Sequence, residues 1–329
     1  MIHFVLSGGP IPADHLRHLV NHFHRRGVAH RVHARLGAGD VVPGDACVAC
    51  DVRLGEALGG LRERVFQVQL AHNLTGLKGS PFRQSSADLN VLPGRQIVER
   101  YDLDPTDPRF VVAGYPKWDA IHAERSRAAE RRATLAAERA MDPERPWVVF
   151  YPTGPSASFS GNLGRASDLY ERLQRGLGPL EFVCCNHAGN EEDARLRDEL
   201  DRLRELAARD SRFQVVSGRD ALPFVTACDL FLTDIASPLL TALSLDKPVL
   251  FLPIETTEPF REPTRRFQCG AFVDDVTDLR SFLENYRTPH PLRNLLRRCV
   301  AFDDDRNCER VGSLILGRYD RWRDTPVVV

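Results

Sequence analysis

The sequence predicts an α/β protein of two domains, each a parallel sheet covered by helices. Three observations predict it. Apolar runs of strand length alternate with helical patterns in both halves: IHFVLSG, HRVHARLG, ACVACD, RVFQVQL, LNVLPG and FVVAGYP, then WVVFYPTG, EFVCCN, FQVVSG, CDLFLTD and KPVLFLP. Such alternation favours parallel strands joined by crossover helices. The length of 329 residues suits two domains of roughly 100–200 residues each. Between the halves, residues 122–145 are rich in Ala, Arg and Glu and poor in apolar side chains, the composition of an exposed helical connector. The expected division is a first domain over 1–122, a connector over 123–146 and a second domain over 147–329, with the C-terminal helix packing back on the first domain.

Composition narrows the class. A chain that is 43% hydrophobic and 27% charged is an ordinary globular one, long enough to bury two cores. A formal net charge of -1 gives no global pull toward nucleic acid or anionic lipid. The opening MIHFVLSGGP meets Gly-Gly-Pro at once and has no basic leader. No apolar run approaches the roughly 18 residues of a membrane helix, so a cytoplasmic location is expected. The eight cysteines are scattered, which argues against a disulfide framework. Cys47 and Cys50 have C-x-x-C spacing but no second pair follows, so they read as core residues of a strand, as do Cys184 and Cys185.

The elements follow in order. Leu16, Leu19, Val20 and Phe23 fall at i, i+3, i+4 and i+7, one face of an amphipathic helix. His15, His18 and His22 share another face. No nearby carboxylate completes a ligand set, so a solvated face is expected. In the second half a helix pattern surrounds Asp168–Leu177, and GNEEDARLRDELDRLRELAARD is a charged helix whose carboxylates read as a solvated face. The segment Asn307–Trp322 reads as a terminal helix with Val311, Leu314 and Ile315 on one side.

Four units carry candidate chemistry. In CDLFLTDIASPLLTALSLDKPVLFLP a strand ends at Thr233, a turn spans Asp234–Ser237, and Pro238 suits the first helical position. Ser237 is then the N-cap, next to free backbone N–H groups at the carboxyl end of a parallel strand. The same residues read equally as a plain cap. In AHNLTGLKGSPF, His72 follows a strand, Gly76 and Gly79 permit close backbone approach, and Lys78 adds positive charge. His187 lies at the mouth of a strand in EFVCCNHAGN. Gly114, Tyr115 and Pro116 follow a strand in VVAGYPKWDAI.

The order of these units resembles the CDP-glycerol glycerophosphotransferases of polymer biosynthesis. In that family a strand-end His-Gly loop with a Lys corresponds to HNLTGLK here, Gly-Tyr-Pro-Arg-x-Asp to GYPKWD, and a strand closing in Pro-Thr to VVFYPTG. A strand-end His corresponds to His187, Thr-Asp-Tyr-Ser-Ser to TDIAS, and an Asp-Gly-x-x-x-x-Arg-like stretch to FDDDRNCERV. The similarity spans roughly residues 65–315. His-Gly is His72-Asn73 here, Tyr-Ser-Ser is Ile235-Ala236-Ser237 with one hydroxyl fewer, and the motif Arg is Lys117.

The resemblance implies two Rossmann-like domains with parallel sheets facing a central cleft, the type B glycosyltransferase (GT-B) architecture. It implies transfer of a polyol phosphate from a CDP-linked donor such as CDP-glycerol to a hydroxyl on a glycan or lipid-linked glycan, in synthesis of a surface polysaccharide or teichoic-acid-like polymer. His72 is the implied general base, and His187, Thr233, Asp234 and Ser237 bind the donor phosphates. Asn73, Gly76 and Lys78 form an acceptor or phosphate loop, and Gly114, Tyr115, Lys117, Asp119, Thr153 and Arg310 line the cleft. No cofactor, metal or nucleic acid is implied, since no Asp-x-Asp motif is present. The acceptor would bring the protein to the inner face of the membrane. KPVLFLPIETTEPFRE also faintly resembles the UDP-N-acetylglucosamine 2-epimerases, although their Ser-Gly-Gly phosphate loop is missing. A nucleotide-sugar enzyme of that kind, another GT-B glycosyltransferase, and a degenerate non-catalytic binder are the alternatives.

Overall fold

The computed structural model describes residues 1–6, 10–37, 39–50, 54, 58–71, 85–152, 154, 163–187, 190, 193–234, 238–252, 271–272, 278–286 and 293–325. The chain forms two compact units, Met1–His122 with Arg297–Val329, and Ala123–Leu296. Residues 297–329 thus fold with the first unit. The physical reason is the terminal helix Asn307–Asp324, whose Val311, Ile315 and Tyr319 are buried in the first unit's core beside Phe4, Leu16, Leu19 and Phe23.

The first unit holds six parallel strands: β1 (Ile2–Val5), β2 (His30–His33), β3 (Ala46–Cys50), β4 (Phe66–Leu70), β5 (Leu89–Leu92) and β6 (Phe110–Val112), in the order β2-β1-β3-β4-β5-β6. The inner strands β1, β3, β4 and β5 are buried along their whole length, as central parallel strands are, whereas β2 at the edge is partly exposed. Cys47 and Cys50, an odd number of residues apart on β3, enter different core clusters on opposite faces. They cannot chelate one metal, and burial pushes the Cys47 thiol up to about 12. Among the described residues no group of three or more His, Cys, Asp or Glu is placed to hold a metal.

The histidine face of the first helix, Pro10–Arg25, is not solvated. His15 is buried with its ring nitrogens 2.5 and 2.9 Å from the Tyr115 hydroxyl. His22 lies against Gly312 of the terminal helix, where an added Cβ would come within 3.2 Å of its ring. The partners lie a hundred or more residues away in sequence, so local spacing could not reveal them. Desolvation holds His18 and His22 below the ordinary value of 6.5, and it outweighs Asp45 in doing the same to the buried His3. These groups take up protons more readily in the unfolded chain, so their contribution is complete above the unfolded pKa and is lost as pH falls below it. The thermal midpoint of the first unit should therefore drop between about pH 7 and pH 5. His18→Gln should flatten that slope in a pH series of melting curves.

The second unit also holds six parallel strands: β7 (Trp147–Tyr151), β8 (Glu181–Asn186), β9 (Phe213–Ser217), β10 (Leu230–Thr233), β11 (Val249–Phe251) and β12 (Ala271–Phe272), in the order β12-β11-β10-β7-β8-β9. Phe150, Phe182, Phe213 and Leu173 anchor its larger core. The segment 123–146 is not a free connector but part of this unit. Arg131 clasps the buried Glu124 through two bonds of 2.6 and 2.7 Å. Arg132 stacks 4.7 Å over Trp147 and bonds Asp229 at 2.9 Å. Arg125 bonds both the carbonyl and the hydroxyl of Ser244. The arginines that made the segment look solvent-bound are its attachments to the unit.

Candidate functional site

The strand order of the second unit reverses between β7 and β10. Open parallel sheets bind ligands outside the carboxyl ends of their strands at such a switch point. The two strands run in register with Thr233 opposite Tyr151. Pro152 and Gly154 follow β7, His187 follows β8, and Asp234 follows β10.

The residues at this mouth are tightly fitted. A Cβ on Gly154 would lie 2.3 Å from His187 Nδ1, so the imidazole rests directly on that glycine's backbone. The turn carrying His187 is fixed by Asn190, which is fully buried. Its amide donates to Asn186 Oδ1 at 2.9 Å and its backbone N–H to the His187 carbonyl at 2.8 Å. Tyr151 reaches over Asn186 to Gly218, donating to its carbonyl at 3.3 Å, and a Cβ on Gly218 would strike the phenol. Gly154→Ala should displace the His187 ring and weaken any ligand held at this mouth at least about tenfold, a cost of roughly 1.4 kcal/mol. Titration of the variant, with its melting curve as a control for folding, checks this.

Thr233 and Asp234 both lie at this end of β10. Thr233 is fully buried and donates its only hydroxyl proton to the Tyr151 carbonyl at 2.9 Å. The side chain therefore has no second proton to offer a phosphate oxygen. Thr233 instead staples β10 to β7. Asp234 is buried at the same end, where a carboxylate repels phosphate oxygens and suits a ligand hydroxyl or N–H. Lys247, in the KPVLF run, is committed to the Cys228 carbonyl at 2.9 Å.

The residues assigned to the cleft form a lock within the first unit. Gly114 has φ +109, and a Cβ there would lie 2.3 Å from Asn307 Oδ1. That oxygen accepts the Tyr115 backbone N–H at 3.1 Å. Asp119 caps the terminal helix, accepting the backbone N–H groups of Asn307 and Cys308 at 2.7 and 2.9 Å. Trp118, fully buried, donates to Asp303 at 2.8 Å. Lys117 pairs with Asp14 at 3.0 Å. Arg310 lies 3.8 Å over Phe302 and bonds Asp304 at 2.7 Å. GYPKWD and FDDDRNCERV, nearly two hundred residues apart, thus meet to seat the last helix. Most of their polar groups are engaged in that packing, while Arg310 Nη1 is buried without a hydrogen-bond partner.

His72, Asn73, Gly76, Lys78, Thr153 and Ser237 lie outside the described residues. By chain position His72 comes two residues after β4, Thr153 two after β7 and Ser237 four after β10. Gly154, Asn186, Asn190 and Tyr151 were not singled out from sequence. The spacing of two asparagines around His187 in NHAGN and the glycine after Pro-Thr were the available signals.

Two units, each a parallel sheet with helices, define the class: the chain has the GT-B type of architecture. Comparison with solved structures gives the particular likenesses. The wall teichoic acid polymerase TagF superposes with a TM-score of 0.67 at 15% identity, over 98% of this chain and 90% of that one. S. aureus MnaA, in a co-structure with UDP, gives 0.60 at 13% identity, over 95% of each chain. The UDP-GlcNAc 2-epimerase from Neisseria meningitidis bound to UDP-GlcNAc gives 0.54 at 11% identity, over 96% and 100%. No family model matches the sequence. No curated protein matches it either. At these identities the likeness establishes the fold alone.

Proposed function

We propose that the protein is a transferase that moves a polyol phosphate from a CDP-linked donor to a hydroxyl acceptor. The observation that carries this reading is the seating of His187 on Gly154 at the β7–β10 switch point of a GT-B fold. That is where a diphosphate meets strand ends and backbone N–H groups. His187 and Ser237 would hold the donor phosphates, and Asp234 a donor hydroxyl. His72, in the loop after β4, would take the acceptor's proton. The freed oxygen forms a bond to the second phosphorus, the bond from that phosphorus to the bridging oxygen breaks, and CMP leaves. Lys78 would hold an anionic acceptor or offset the charge on the transferred group.

The test is CMP release from CDP-glycerol, read against buffer. A second reading, an epimerase-type enzyme of UDP-GlcNAc, draws support from the near-complete mutual cover with the Neisseria enzyme. Consumption of UDP-GlcNAc with no CMP release from CDP-glycerol would select it.

A further inference from the structure

The terminal helix packs on one face of the first sheet. The opposite face is apolar except along one seam. Val5, Cys47 and Ala49 belong to one buried cluster on that face, and Leu92 to another, against which Phe110 and Val112 pack. Between the two clusters lie Gln67 and Gln69 of β4 and Asn90 of β5, none more than 4% exposed. The register sets Gln69 beside Ala49 on one side and beside Asn90 on the other. Gln69 is the last residue but one of β4, at the carboxyl end where parallel sheets bind ligands. It precedes His72 by three residues in the chain.

Buried carboxamides cost stability unless they are paired. Gln67 is paired, its amide donating to the Arg62 carbonyl at 2.8 Å. Gln69 and Asn90 are paired on one side only. Ser85 Oγ lies 2.8 Å from Gln69 Oε1 and 2.7 Å from Asn90 Oδ1, and it accepts the Ala87 N–H at 3.2 Å. Gln69 Nε2 and Asn90 Nδ2 are buried with no hydrogen-bond partner. The protons can be counted. Ser85 has one to donate, so it serves one carboxamide oxygen and not both. Turning the other carboxamide lets its N–H donate to Ser85 Oγ, which then gives one bond and takes two. The two unpartnered positions thereby become one N–H donor and one carbonyl acceptor. A hydroxyl group, donor and acceptor at once, satisfies both. A phosphate oxygen satisfies only the donor, and an ammonium only the acceptor. Ser85 is partly exposed, so the cluster is approached from its side.

We propose that Gln69, Ser85 and Asn90 form a binding subsite for a neutral hydroxyl compound, a polyol or sugar, and that this compound is the acceptor. Its role as the acceptor's site rests on the transferase reading above; its binding of a hydroxyl does not. The two carboxamides hold one hydroxyl of the ligand and so fix which neighbouring hydroxyl is offered for transfer. Compounds that lack the held hydroxyl leave the buried amide groups unpaired and bind poorly, which makes these residues specificity determinants.

The probe is glycerol, a neutral triol, with inorganic phosphate as the anionic control. Saturation-transfer NMR on the full chain reads the binding of each. Glycerol is expected to bind the wild type. Gln69→Met and Asn90→Leu keep the shape and remove the polar atoms, and each should weaken that binding at least about tenfold. Where a variant lowers the melting midpoint, Ser85→Ala replaces it, with the same loss expected. Added glycerol should also accelerate CMP release from CDP-glycerol, with its half-saturation concentration raised by the same factor in the variants and CDP-glycerol affinity unchanged. No CMP release from CDP-glycerol, with the glycerol losses still seen, rejects the transferase reading and supports the hydroxyl site. No glycerol binding by the wild type, equal binding by the variants, or displacement of glycerol by phosphate would each overturn the proposal. So would a crystal structure with a water on both amides beside unchanged glycerol binding in the variants.

Discussion

His72→Ala is expected to lower CMP release by about 10²–10⁴-fold while leaving nucleotide affinity near that of the wild type. The magnitude is that of a general base whose unperturbed pKa near neutrality suits it to accept a proton from an alcohol. The separation of effects follows from chain position. His72 comes two residues after β4 in the chain, within the first unit, whereas Gly154, His187 and Asp234 follow β7, β8 and β10 in the second. Lys78→Ala separates two roles within one loop. If it depresses turnover more than His72→Ala does, the loop binds an anionic acceptor and the base lies elsewhere. Steady-state CMP release beside titration of each variant gives the answer. Unchanged turnover in His72→Ala rejects the base assignment whatever the fold.

Gly114→Val should destabilise the first unit by about 4 kcal/mol or more, in the exceptional range for one substitution. Two costs add. The backbone at φ +109 disfavours any side chain, and the new Cβ would lie 2.3 Å from the Asn307 oxygen that accepts the Tyr115 N–H. Moving Asn307 disturbs the start of the terminal helix, where Asp119 caps the next N–H groups. That helix supplies Val311, Ile315 and Tyr319 to the core, so the damage should spread beyond the turn. A fall of about 10 °C in the first unit's midpoint is expected. Gly317→Ala is the control: it lies in the same helix with nothing within 4 Å of a new Cβ. It should be neutral or stabilising by up to about 1 kcal/mol. Equal destabilisation by both would mean that the lock between the two motifs does not hold the helix.

The sheets were legible because buried parallel strands are short apolar runs bounded by Gly, Pro or polar residues. FQVQL, FVCCN and LFLT announce themselves with no knowledge of their neighbours. The residues a helix packs against were not legible, even where its return to the first domain was expected. The terminal helix showed an apolar side formed by Val311 and Ile315, but its partners Phe4 and Leu16 are about three hundred residues away. The same gap hid the burial of His15, whose partner Tyr115 lies in another motif. The positions of His187 and Asp234 at strand ends could be read because strand ends are where parallel sheets expose chemistry. The bond by which Thr233 staples β10 to β7 could not, since it depends on which strand lies next to β10. Spacing likewise could not separate GYPKWD as architecture from GYPKWD as a ligand site. Both need a glycine for close approach, and only the identity of the approaching group, Asn307, decides.

The central claim, a CDP-linked donor held at the β7–β10 mouth, is tested most directly by calorimetric titration of CDP-glycerol into the wild type and Gly154→Ala. Saturable one-site binding to the wild type, weakened at least about tenfold in the variant, is the predicted result. Equal affinity in the two proteins, or no binding of CDP-glycerol at all, would contradict it.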